Sequence, residues 1–201
     1  MKKQKLIKIF DNQAAQYAKR IGDPKEKKFR QQLIGHARGK VLELAVGAGA
    51  NFPFYPSEVE VTAVDFSHAM LEKARQSANQ YRIHAEFICD DMEKLDFDEG
   101  SFDTVISTLS LCSYDNPHLL LRKMNRWCKP DGRILLMEHG ISSNPVISVL
   151  QRTFNPLLYR VYGCHQTRDV QGLLRESGMN IDSMESHWLN MVHLVRARPQ
   201  L

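Results

Sequence analysis

The sequence predicts an α/β fold in which a largely parallel sheet carries helices on both faces. Short apolar runs recur at 41–44, 60–65, 85–89, 101–108 and 133–138. Stretches with helical periodicity and polar caps separate them, and strands joined through helices pair in parallel. Several of the runs end in an acid, which puts ligand-binding groups at the carboxyl edge of such a sheet.

Taken in order, residues 2–19 place Leu6, Ile7, Phe10, Ala14 and Tyr17 near one side of a helix. Gly22-Asp23-Pro24 ends it and opens a second helix to about Ala37, with Phe29, Leu33 and Ile34 turned inward. Neither helix carries a catalytic set, so residues 1–38 are expected to cover a ligand site as a lid. In the first strand Glu43 interrupts the apolar run, and a carboxylate buried there needs a partner. Gly47, Ala48, Gly49 and Ala50 let the backbone turn tightly and approach a ligand, while Pro53 and Pro56 cut the following helix short. That spacing is not the Gly-x-Gly-x-x-Gly of a dinucleotide turn.

The second strand ends in Asp65, 22 residues beyond Glu43. An acid there accepts two hydrogen bonds from vicinal ribose hydroxyls, or else caps the next helix. Ser67 caps a helix to about Tyr81, with Met70, Leu71 and Ala74 inward. The third strand ends in Asp90-Asp91, and Phe102 and Val105 are core positions of the fourth. Asn116-Pro117 starts a helix to about Cys128, and Lys129-Pro130-Asp131-Gly132 reads as a turn before the fifth strand. A helix over 144–162, broken at Asn155-Pro156, is expected to cover apolar surface. Thr167 should cap a helix that Gly178 terminates, and 180–187 should pair with 190–197 as a hairpin.

At 201 residues, 43% apolar and 25% charged, the chain has the proportions of one soluble domain. Its formal charge of +4 gathers in the first thirty residues, between Lys2 and Arg30. Such a front could make peripheral contact with an anionic membrane, though most basic runs are solvated helix faces. Cys89, Cys112, Cys128 and Cys164 lack CxxC or His-pair spacing, so no metal site and no redox motif is expected. No stretch approaches the ~20 apolar residues of a membrane span. With no signal peptide, the expected location is cytoplasmic and the thiols are expected to be reduced.

Glu43-x-Ala45-x-Gly47-x-Gly49, Asp65, Asp91-x-Glu93-x-Leu95 and the 101–108 strand, in that order, resemble the class I S-adenosylmethionine-dependent methyltransferases. The resemblance covers roughly 39–140 and implies a Rossmann-like, seven-stranded, mostly parallel sheet with its last strand antiparallel. It implies S-adenosyl-L-methionine as cofactor and S-adenosyl-L-homocysteine as product. Glu43 would serve the methionine end, beside Ala45, Gly47, Gly49 and Asn51; most of the family has glycine where Ala45 stands. Asp65 would take the ribose, and Asp91 and the Met92 amide the adenine, with Asp90 as the neighbouring alternative. Phe66, Met70 and Thr108 complete the cofactor set. The domain then divides into a 1–38 lid, a 39–140 cofactor core and a 141–201 substrate side with the closing hairpin.

A closer likeness at 49–56, 108–113, 137–139 and 163–168 is to the animal alkyl-thiol methyltransferases, the methyltransferase-like seven group. Those proteins carry an N-terminal membrane anchor that this sequence does not begin with, so a soluble relative is expected. The implied function is methyl transfer to a small, largely apolar acceptor, a thiol first. Phospholipid N- or quinone C-methylation, or cofactor binding without catalysis, are the alternatives. A thiol attacks as thiolate, so His139 is the first candidate base and His165 the second; either could instead be a pocket or core histidine. Cys112 and Cys164 are expected as small pocket-lining residues, and Arg168 as a partner of Glu138 or of an anionic acceptor. With no base-flipping motif or RNA-binding module, nucleic acid is not an expected partner.

Overall fold

The computed structural model describes residues 3–200. Its centre is one seven-stranded sheet in the order β3-β2-β1-β4-β5-β7-β6. The strands are β1 (Lys40–Leu44), β2 (Glu60–Asp65), β3 (His84–Cys89), β4 (Phe102–Thr108), β5 (Cys128–His139), β6 (Asn180–His187) and β7 (Val192–Arg198). β1 to β5 run parallel, whereas β7 is antiparallel to β5 and to β6. This is the Rossmann-like arrangement the sequence predicts.

Strand alternation builds two cores. Leu42, Leu44, Ile134 and Leu136 face one layer, under α4 (Pro117–Trp127) and α6 (Val170–Arg175). Val41, Leu135 and Met137 face the other, under α2 (Pro24–Ile34) and α3 (His68–Tyr81). Each partner set lies on one face because side chains alternate along a strand. The first helix, α1 (Lys3–Lys19), buries Leu6 in the first core and packs Ala14 with Ala48 and Met70.

Local chemistry sets most boundaries. The Asp23 carboxylate caps α2, Ser67 caps α3 and Asn116 caps α4, each accepting a hydrogen bond from a first-turn amide. α2 ends at Ile34, three residues short of the expected end. The cap of α6 is Asp169 rather than Thr167, so that helix is shorter than expected. Lys129 to Gly132, read as a turn, lies within β5 as an irregularity where the register jumps from Phe102↔Cys128 to Thr104↔Arg133. The last hairpin closes through Trp188, Leu189 and Asn190, all at positive φ.

The largest departure is α5 (Pro145–Tyr162). It runs unbroken through Pro156 and contains no buried residue. Val146, Val149, Phe154 and Leu157 are between 51% and 69% exposed. It therefore does not cover apolar surface. Its attachment is polar: Gln151 reaches Ser142 N, Gly140 O and Gln166 O, and Asn155 accepts from Gln166 N. An apolar composition resembles a core helix, and only the neighbours decide whether it is one.

Ala45, directly after β1, has φ of +51°, and its amide donates to Met92 Sδ at 3.1 Å. A Cβ in the left-handed region costs roughly 1–2 kcal/mol, partly offset by the smaller entropy of an unfolded alanine. Ala45→Gly should leave the protein as stable or stabilise it by up to about 1 kcal/mol in chemical denaturation. A loss larger than that would show that the methyl group's packing outweighs the backbone strain.

Candidate active site

A cavity of about 240 Å³ opens at the carboxyl ends of β1, β2, β4 and β5. Those strands are neighbours, so from Asp65 on β2 to His139 on β5 the site crosses three inter-strand spacings, roughly 14 Å. Ala45, Gly47, Asp65, Phe66, Met70 and Thr108 all line it, together with His139. From the helices come Phe10 and Tyr17 of α1 and Glu26 and Arg30 of α2.

The polar end is built on Asp65. Its two carboxylate oxygens accept from Gly47 N and Ser67 N, each at 2.9 Å. Burial pushes its carboxyl up to about 6 despite these bonds, and Asp11 nearby adds to the rise. Gly47 lies at φ +55°, and a Cβ there would meet no protein atom closer than 4.0 Å. A side chain at this wall would enter the cavity, which is why a ligand-facing turn uses glycine. Gly49 differs: its added Cβ would fall 2.7 Å from the Phe52 ring. That glycine lets the backbone pack on Phe52 and does not line the cavity.

Beneath the wall lies a buried network. Glu43, only 1% exposed, accepts from Asn51 Nδ2 at 2.8 Å and from Tyr55 Oη at 2.7 Å. Asn51 also donates to Thr108 Oγ1 and accepts from Arg30 Nη1 at 2.6 Å. Arg30 in turn binds Glu26 through Nη2 at 2.7 Å. Desolvation raises the Glu43 carboxyl to about 7, against the hydrogen bonds that lower it. Glu43 and Asn51 thus stand behind the cavity, and their nearest partners are protein groups. Arg30 is only 6% exposed and was counted from sequence merely as part of the basic front. Its position three and four residues before the buried Leu33 and Ile34 puts it on the inner stripe, and that was the available signal.

Asp91 and Met92 stand outside the cavity wall. Asp91 is paired with Lys3 Nζ of α1 at 2.8 Å, and Lys3 lies 4.7 Å over the Phe66 ring. The Met92 side chain is fully buried and accepts from Tyr114 Oη at 2.8 Å.

The other end of the cavity is lined by Leu109, Tyr114, His139 and Cys164, with Ser110 and Ser113 beside them. Leu109 holds φ of +54°, a strained conformation of the sort found at ligand sites. Of the apolar residues that the sequence offers for an acceptor wall, Leu109 lines this end, whereas Leu111, Phe154, Leu158 and Tyr162 do not. His165 is also elsewhere: its ring stacks on Tyr159 at 3.8 Å and its Nδ1 faces Asn155. Arg168 does not meet Glu138; its guanidinium binds the Tyr114 carbonyl. Glu138 is fully buried and accepts from Ser107 Oγ, Ser110 N and Leu111 N. Burial lifts its carboxyl to about 7 and drops the His139 imidazole to about 4.

The cysteines correct the sequence reading most sharply. Cys112 and Cys164 form a disulfide with a Cα–Cα distance of 5.0 Å across 52 residues of chain. His139 Nε2 lies 2.9 Å from Cys164 Sγ. Local spacing carries no trace of the pair, because the fold brings the loop after β4 against the loop after α5. Cys89 and Cys128 are free thiols.

Residues 42–136 match a family model described as a methyltransferase domain. Thiol S-methyltransferase TMT1B from Homo sapiens is 33% identical over 160 residues, 74% of this chain and 64% of that protein. Phosphatidylethanolamine N-methyltransferase from Cereibacter sphaeroides is 34% identical over 115 residues, 55% of this chain and 57% of that protein. The chain thus spans less than two-thirds of these relatives. Among solved structures, an S-adenosylmethionine-dependent methyltransferase from Thermotoga maritima superposes with a TM-score of 0.70 at 15% identity. That likeness covers 97% of this chain and all of the other. The fold is that of the class I S-adenosylmethionine-dependent methyltransferases, and the domain match and relatives support that class for this chain. Within that class it lies near the TMT1 group of thiol S-methyltransferases. No described helix is long and apolar enough to cross a membrane.

Glu138 yields a pH prediction. Below about 4.5 the folded and unfolded states both hold its proton; up to about 7 only the folded state does. Wild-type stability should therefore fall relative to Glu138→Gln as pH rises through that window, by up to roughly 3 kcal/mol. Urea titrations of both ligand-free proteins at several pH values measure the difference, in which the other groups cancel. A difference that does not change with pH would mean that Glu138 titrates in the fold as it does in the unfolded chain.

Proposed function

We propose that the chain moves a methyl group from S-adenosyl-L-methionine to a small, largely apolar acceptor, in the first place a thiol. The observation that carries this reading is one continuous cavity joining Asp65 and Gly47 to Leu109, Tyr114 and His139. The similarity to TMT1B supports the choice of thiol. The residues suit the cofactor: Gly47 leaves room that a Cβ would fill, and Asp65 presents a buried carboxylate to the cavity.

When bound, the cofactor supplies a methyl group made electrophilic by its sulfonium. Asp65 accepts hydrogen bonds from the vicinal ribose hydroxyls, with Phe66 and Met70 packing beside them. Arg30, held by Glu26 and Asn51 at the cavity, offers the cofactor's carboxylate a positive charge. Glu43, Gly49 and Asn51 act one layer behind, fixing the turn that carries Ala45 and Gly47. Asp91 takes the adenine amino group once Lys3 gives way, with the Met92 amide beside it. The end at Leu109 and Tyr114 excludes water and aligns the acceptor with the methyl group.

His139 is a poor base in this setting. Burial holds it neutral at pH 7, and its conjugate acid is far stronger than a thiol of pKa near ~8.5. The acceptor enters through its ionised fraction, which a positive charge nearby increases. His139 then shapes the acceptor end. His165, outside the cavity, takes no proton from the acceptor.

Three experiments test this reading. S-adenosylhomocysteine should raise the melting temperature by mass action, and Asp65→Asn should weaken its binding by roughly 1–3 kcal/mol. An unchanged affinity would remove Asp65 from the ribose. A methyl-transfer screen across alkyl thiols, phenols, quinols and phosphatidylethanolamine addresses the acceptor; turnover of a quinol or phospholipid with none of any thiol would sink the thiol assignment. In pH–rate profiles on an alkyl thiol, His139→Ala should parallel wild type and lose less than about tenfold. A loss of about 100-fold, concentrated at low pH, would restore His139 as general base.

A further inference from the structure

The described cavity ends on a disulfide. Cys164 lines it, half-buried, whereas Cys112 is 1% exposed and lies behind. The Cys112 sulfur is within 3.6 Å of Ser113 Oγ and 3.7 Å of the Leu109 carbonyl, both in the loop after β4. His139 Nε2 contacts the Cys164 sulfur from the cavity side. The two sulfurs are therefore unequal: one is reachable from the cavity and the other is walled in by protein.

A disulfide is opened by a thiolate that attacks one sulfur and expels the other, so access decides which sulfur is attacked. We propose that Cys112–Cys164 is a thiol-exchange centre, at which small apolar thiols entering the acceptor end attack Cys164 Sγ and expel Cys112. The proposal rests on the reading that such thiols enter this cavity. In the first step RSH loses its proton, an RS–S bond to Cys164 forms, the bond between the two cysteines breaks, and Cys112 leaves as thiolate and takes up a proton. In the second, another RSH ionises and attacks the mixed disulfide. RSSR leaves, and the Cys164 thiolate is protonated. Two thiols are oxidised to one disulfide while the protein disulfide is reduced to two thiols.

The bond joins the loop after β4 to the loop between α5 and α6, and the backbone supports the junction through His165 N to Cys112 O at 3.0 Å. The Gly163 next to it lies against Leu6 and Phe10 of α1. Opening the bond thus loosens the point at which α1, α5 and the post-β4 loop meet around the acceptor end. Exchange at this centre makes the acceptor end responsive to the thiol class that fills it.

The test uses the full chain after mild oxidation, with a chelator present. Butanethiol and glutathione are supplied at equal thiolate concentration; samples are quenched in acid, denatured, alkylated and weighed by intact mass spectrometry. Of the four cysteines, two take up alkyl groups while the bond is intact and four after it opens. Butanethiol should open it at least tenfold faster than glutathione, because the route is apolar and narrow. Equal rates, or four free thiols that persist in dibutyl disulfide, overturn the proposal. Cys112→Ser and Cys164→Ser both lack the bond, so they share any folding defect. In dibutyl disulfide the first should gain one butylthio group at Cys164 while Cys112 in the second stays unmodified; the reverse pattern also overturns it. Exchange without methylation of butanethiol upholds the centre and removes the thiol as acceptor. Methylation of butanethiol by a protein that forms no disulfide overturns the centre and leaves the acceptor reading standing.

Discussion

A carboxylate inside the sheet is the constraint on which the site depends. Glu43 stands next to the end of β1 with almost no solvent contact, and a carboxyl there requires protein donors. Asn51 and Tyr55 provide them, and both belong to the short segment that Pro53 and Pro56 keep from becoming a long helix. Satisfying Glu43 therefore shapes the turn, and the turn places Gly47 against the cavity. The same Asn51 reaches Thr108 on β4 and Arg30 on α2, so three separate elements are tied to one buried carboxyl. Truncating a donor would leave Glu43 under-bonded, which is more damaging than the loss of one surface hydrogen bond.

The parts legible in the sequence were those governed by local rules. Strand positions followed apolar alternation, and Ser67, Asn116 and Asp23 announced their helices by side-chain chemistry. Asp65 was readable because a strand end, an acid and a glycine turn stand at a fixed interval. The cysteine pair was not, since its partners are brought together only by tertiary packing. Arg30 was hidden by its charge, which reads as solvated until its place on the inner stripe is considered. The exposed face of α5 was hidden for the opposite reason: apolar residues read as buried. In all these cases residue type was a weaker guide than the neighbours supplied by the fold.

Electrostatics divide the cavity as well. Glu43, Asp65 and Glu138 are all pushed toward neutrality by burial, although each accepts several hydrogen bonds. A positively charged ligand would favour their ionised forms, so binding and proton release are coupled in the direction that linkage requires. His139 shifts the other way and stays neutral through the same range. A cation entering this cavity meets Asp65 on one side and the uncharged His139 ring on the other, with Glu43 and Glu138 buried behind the walls.

The walls of the cavity come from different parts of the chain. The turn after β1, Asp65, Phe66 and Thr108 fall within the stretch 42–136 that matches the methyltransferase domain, whereas Phe10, Tyr17, His139 and Cys164 fall outside it. His139 and Cys164 at one end of the cavity can therefore change with the flanking segments, whereas the glycine turn, Asp65, Leu109 and Tyr114 belong to the matched domain. Such modularity lets the margins of the cavity be altered without rebuilding the sheet that carries it. Chimeras joined at those borders would be the natural units in which specificity is inherited.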